Sequence, residues 1–129
     1  MASELRVNTL KDAAGANSVA MTYVAGGSAK AWVNFDGTGT IAARDSLNNS
    51  SLTDNGTGDY TVTMSNAMAD ANYGMSGTAG RNANDGAFLT NPIGSYSNTT
   101  TTHRIRGLYA DGAAIDMNMM SNDIKGDLA

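Results

Sequence analysis

The sequence predicts an all-β protein: an antiparallel β-sandwich or jelly-roll-like knob preceded by a short N-terminal strand segment. Three observations carry this. Apolar residues recur in short packets with a period of two, the signature of half-buried strands. The packets are separated by Gly, Asn and Asp clusters of the kind that make tight turns, and Pro occurs once in 129 residues. No stretch shows the 3.6-residue apolar period of an amphipathic helix of useful length.

The elements are read in order. In residues 4–10, Leu5 and Val7 alternate with Glu4, Arg6 and Asn8, which predicts a strand. A turn comes next at 11–15, and a second short strand is expected over 19–24. The Gly26-Gly27-Ser28 break marks a boundary between an N-terminal segment, 1–27, and a main domain, 28–129. The main domain opens on Val33 and Phe35 facing one way and Trp32 the other. A strand with large apolar groups on both faces calls for cover on both, one from the domain's own core and the other from a neighbouring chain.

Asp36-Gly37 is read as a hairpin turn supplying a positive φ, with the partner strand at 40–44. Residues 45–51 are polar and read as a loop. A turn cluster at 54–59 precedes a strand carrying Tyr60, Val62 and Met64. Residues 65–70 tolerate helix but are too few for more than one turn. Further strands are expected at 72–78, with Tyr73 and Met75 on one face, and at 87–90. Another is expected at 103–109, with Ile105 and Tyr109 inward and Arg104 and Arg106 outward. The last carries Ile115, Met117 and Met119.

Composition excludes several functions. Eight Lys and Arg stand against twelve Asp and Glu, a net charge of -4, so the basic face that displaces counterions from phosphates is missing and no nucleic-acid partner is expected. No apolar run reaches the roughly 20 residues that cross a bilayer, so no membrane insertion is expected. Residues 1–6 have neither the basic region nor the apolar core of a signal peptide. Without cysteine there is no disulfide framework or thiolate metal site.

The candidate motifs read as structure. Residues 37–42 fit a loose G-x-G-x-x-A pattern, but the chain then runs into polar loop rather than a helix facing a pyrophosphate, so a Gly-rich hairpin is preferred. The cluster at 54–59 resembles a calcium loop, yet Ser65 stands where an EF-hand needs a bidentate Glu. His103, the single histidine, is read as a surface or interface residue. Asn48, Asn49, Asn55 and Asn98 open N-x-S/T patterns that read as ordinary loop sequence. The methionines at 64, 68, 75, 117, 119 and 120 read as core filling rather than an adaptable groove. No catalytic set, metal or cofactor is expected.

Two stretches carry a family resemblance. LRVNTLKDAAG at 5–15 resembles a segment common near the start of bacteriophage tail-fibre proteins, particularly of phages of marine bacteria and cyanobacteria. KAWVNFDGTG at 30–39, IAARDS at 41–46, DNGTGDYTV at 54–62 and AMADANY at 67–73 are similar to a recurring domain of the same proteins. The likeness covers residues 4–75 and fades beyond Gly80. It implies a virion location, assembly in the host cytoplasm, a homotrimer, a β-rich knob with distal receptor-binding loops, and no catalytic residues. Tail fibres are usually much longer than this chain, and a capsid decoration or head-fibre protein built from the same module stays open as the alternative.

The expected function is therefore non-enzymatic attachment to a bacterial surface. Receptor contact, with a host saccharide or outer-surface protein, is expected from the loops at 81–86 and 94–102, through Arg81, Asn84, Asp85, Tyr96 and Asn98. Subunit contact is expected at Leu5, Val7 and Trp32. The N-terminal segment is expected to hold other virion proteins or a neighbouring subunit, because a short strand cannot bury its apolar face alone.

Overall fold

The computed structural model describes residues 3–81, 87–90 and 98–129. They form a mostly β structure in antiparallel sheets. The first elements are β1 (Thr9–Lys11), β2 (Ser18–Ala20) and α1 (Met21–Gly27), followed by β3 (Ala29–Asp36), β4 (Ala42–Leu47), β5 (Asn49–Gly56) and β6 (Asp59–Met64). The remaining strands are β7 (Gly74–Gly80), β8 (Ala87–Thr90), β9 (Thr102–Tyr109) and β10 (Met119–Lys125). β1 and β2 pair as a small hairpin. The other strands form two four-stranded sheets, one in the order β4-β3-β10-β7 and the other β5-β6-β9-β8.

Strand alternation builds one core from both sheets. Val33 and Phe35 of β3 and Met120 of β10 come from the first sheet. Tyr60 and Val62 of β6 and Ile105 of β9 come from the second, and Met117 joins them from the β9–β10 connection. The Phe35 and Tyr60 rings meet edge to face, with centroids 5.2 Å apart, the arrangement that suits the aromatic quadrupole. A second cluster, Ala31, Met64, Met68 and Ile124, fills the neighbouring space. Four of the methionines read as core filling, at 64, 68, 117 and 120, are buried, whereas Met119 is exposed.

Several sequence expectations are corrected. Residues 45–51 are not a loop: they close β4 and open β5. Asn48 alone separates the two strands and takes a positive φ of 54°, a conformation Asn tolerates better than most residues. Its side chain receives the Asn66 backbone N–H at 2.7 Å and donates to the Asn66 carbonyl at 3.1 Å. This polar stretch reads like a loop because β4 and β5 are edge strands with mostly exposed side chains.

The expected strand at 19–24 stops at Ala20, and the chain continues as α1. Met21 and Ala25 favour helix, and α1 runs out at Gly26-Gly27. At the β3–β4 hairpin the positive φ falls on Gly39 rather than Gly37. Gly37 is small for another reason: a Cβ there would lie 2.6 Å from the Tyr60 hydroxyl.

Candidate functional site

Of the five residues expected to contact a receptor, Arg81 and Asn98 lie among the described residues. Asn84, Asp85 and Tyr96 lie outside the described residues. Arg81, just past β7, donates a hydrogen bond to the Tyr109 hydroxyl, and its guanidinium stands 5.1 Å from the centre of that ring. It ties the end of β7 to the end of β9. Asn98 is half-buried at the edge of the described chain. Leu5 is 79% exposed and Val7 36% exposed in the extended stretch before β1.

Trp32 points away from the core, as the alternation of β3 requires. Register sets its neighbours on the outer face of the first sheet. Leu47, Trp32, Asp123 and Ser76 lie side by side across β4, β3, β10 and β7. Asp45, Asn34, Ser121 and Thr78 form the next row. Directly opposed residues in such a ladder stand about 5 Å apart, so these eight residues make a compact patch. Trp32 is half-buried and Leu47 is 48% exposed.

The patch is polar and internally bonded. The Ser76 hydroxyl donates to Asp123 Oδ1 at 2.7 Å, and the Lys125 ammonium donates to Asp123 Oδ2. Those bonds, with Lys125 the larger cause, hold the Asp123 carboxyl below its ordinary range. Further along the face, Arg44 donates to Asp36 at 2.9 Å and to the Asn118 carbonyl at 2.5 Å. A depression of about 430 Å³ opens beside Trp32, lined also by Ser76, Thr78, Ser121 and Asp123.

The N-terminal segment contrasts with this body. None of residues 3–28 is buried. Leu5, Val7, Leu10, Val19 and Tyr23 all present large apolar surface to solvent. Hairpin and helix together are too short to be stable alone.

The sequence read His103 as a surface or interface residue, and the structure corrects this: the residue is 2% exposed, inside the protein between the two sheets. Its Nε2 lies 2.8 Å from the amide nitrogen of Asn122, which is equally buried. Burial lowers the His103 pKa to about 4, and the Asn122 hydrogen bond opposes that shift. The available signal was parity, since His103 lies two residues before the inward Ile105.

The carboxylates also have structural partners. Asp59 receives two bonds from Arg104, at 2.5 and 2.6 Å. Asp116 accepts from the Tyr60 hydroxyl at 2.7 Å and the Gly58 N–H at 2.6 Å. Among the described residues no group of three or more His, Asp or Glu could hold a metal ion, and no helix is long and apolar enough to cross a membrane. Comparison of the chain with protein-family models, with curated proteins and with solved structures finds no match to any of them.

Proposed function

We propose that this chain is a non-enzymatic structural protein of a bacteriophage particle, a homotrimeric tail-fibre or tail-tip module that attaches the particle to the bacterial surface. The observation that carries the reading is the division of labour along the chain. A segment with no buried residue and five exposed large apolar side chains precedes a body with its own two-sheet core. Such a segment calls for a partner to cover it. A neighbouring subunit or another virion protein meets that need, with Leu5 and Val7 among the contacts. The stretches at 5–15 and 30–73 that resemble fibre modules supply the identity of the particle.

In this reading the body is a β-sandwich knob, which the core shared by both sheets supports. The structural engagement of Asp59, Asp116 and Asp123 supports a binding role rather than acid–base chemistry. The test is immuno-electron microscopy of intact particles with antibody against this chain. Label at the tail is the expected result. Label on the capsid would overturn the tail reading in favour of a decoration or head-fibre protein, and release of reducing sugar from host envelope would overturn the non-enzymatic one.

A further inference from the structure

We infer that the outer face of the β4-β3-β10-β7 sheet around Trp32 is a binding site for a neutral pyranose saccharide. The proposal deepens the attachment reading and rests on it for its role in the particle. A pyranose presents a flat patch of C–H groups on one side and a rim of hydroxyls. The patch offers a counterpart to each. The face of an indole is electron-rich and attracts polarised C–H groups. Trp32 is half-buried, so it loses little freedom when a ligand stacks on it.

The hydrogen-bonding groups stand where the rim would lie. Asp123 is directly across from Trp32, and Ser76 is directly across from Asp123. Ser121 and Asn34 occupy the adjacent row. Asp123 is already fixed by Ser76 and Lys125. An acceptor ordered before the ligand arrives adds affinity by reducing what binding must freeze. The depression of about 430 Å³ at this point falls within the usual range of small-ligand sites.

Charge argues against the rival occupants. Arg44 and Lys125 are paired with Asp36 and Asp123, so among the described residues this face has no unpaired cation cluster to offer a phosphate backbone. A second copy of the chain would have to desolvate Asp123, Lys125, Asp45 and Arg44 around the tryptophan, whereas the centres of subunit interfaces are depleted in such groups. Sugar hydroxyls instead satisfy them.

The test uses the full chain and its one tryptophan as the reporter. Galactose, N-acetylglucosamine and maltose are titrated separately, with Trp32 fluorescence and heat of binding measured in parallel. A saturable change with at least one sugar, with an affinity in the millimolar range, is expected. By calorimetry Trp32→Ala should weaken that binding by at least about tenfold, Trp32→Phe should retain more of it, and Ser76→Ala with Ser121→Ala should weaken it without altering the fold. Three results would overturn the site: no saturable response to any of the three sugars, unchanged affinity in both Trp32→Ala and the double serine variant, or dissociation of the oligomer by Trp32→Ala in sedimentation. Capsid label in the microscopy above would overturn the tail reading while leaving sugar binding at Trp32 intact.

Discussion

His103 Nε2 lies 2.8 Å from the Asn122 amide nitrogen, and this contact joins β9 of one sheet to β10 of the other. Both residues are 2% exposed, and neither His103 Nδ1 nor Asn122 Oδ1 has a hydrogen-bond partner among the described residues. A buried polar atom without a partner costs about 1–3 kcal/mol. The pair therefore makes the middle of the protein less stable than an apolar filling would, and it makes stability depend on pH.

The sign of that dependence is set by the direction of the shift. Burial lowers the folded His103 pKa to about 4 from 6.5. Between those values the unfolded chain takes up a proton that the folded chain does not. Stability is then constant with respect to this group above pH 6.5 and falls as pH drops toward 4, by at most roughly 3 kcal/mol. Asp36, held low mainly by the Thr38 hydroxyl, and Asp123, held low mainly by Lys125, lose their contribution further down, below 3.8. Urea unfolding across this pH range should show the loss in the wild type and a flatter profile in His103→Gln. Equal slopes in the two proteins would refute the assignment.

Tyr60 offers a second test. Its hydroxyl is buried and reaches the Gly37 carbonyl at 2.6 Å and Asp116 Oδ1 at 2.7 Å. Burial first, and the Asp116 carboxylate second, push its pKa far up. Tyr60→Phe keeps the ring packed on Phe35 but removes the donor to both acceptors. A loss of about 2 kcal/mol is expected in denaturant unfolding. Asp116→Ala should cost a similar amount, and the double variant less than the sum, because the residues share one bond. Strict additivity would show that the bond does not couple them.

Much of this body was legible in the sequence because period-two alternation is strong where one face is buried. Val33 with Phe35, and Tyr60 with Val62 and Met64, declared their inward face directly. Alternation fails on edges: β4 and β5 are mostly exposed, and polar edge strands share the composition of loops. His103 was misplaced because its polarity outweighed its parity with Ile105. The patch around Trp32 was only half visible. The outward turn of the indole came from β3 itself, but Asp123 and Ser76 become its neighbours only through the register of β10 and β7, which no local pattern encodes.

Two glycines should respond differently to the same substitution. Gly39 and Gly58 both have positive φ, 62° and 63°. A Cβ at Gly39 would meet nothing within 4 Å, whereas at Gly58 it would lie 2.6 Å from the Gly107 carbonyl oxygen and 2.6 Å from the Ile115 backbone nitrogen. Gly39→Ala should cost about 1 kcal/mol, the strain of the left-handed backbone alone. Gly58→Ala adds a clash between backbones that cannot rotate away, and about 3 kcal/mol or more is expected. Thermal unfolding compares them directly, and equal losses would mean that the contact at Gly58 relaxes without cost.

Deleting residues 2–27 separates folding from assembly. None of residues 3–28 is buried, and the core clusters draw on no residue before Ala31. Lys30 bonds residues 25–28 to the body, its ammonium donating to the Ala25 carbonyl and to Ser28, and such exposed bonds contribute little. Compared at a dilution where the full chain is also monomeric, so that association adds nothing to its stability, the truncated chain should therefore unfold within about 0.5 kcal/mol of it, the usual range for changes at the surface. Its assembly should change sharply. Leu5, Val7, Leu10, Val19 and Tyr23 present the apolar surface that the proposed trimer would cover, and without them sedimentation should report a monomer where the full chain reports a trimer. An unchanged oligomer would move the subunit contact onto the body. A large loss of stability would show instead that the segment folds as part of the core, which its exposure argues against.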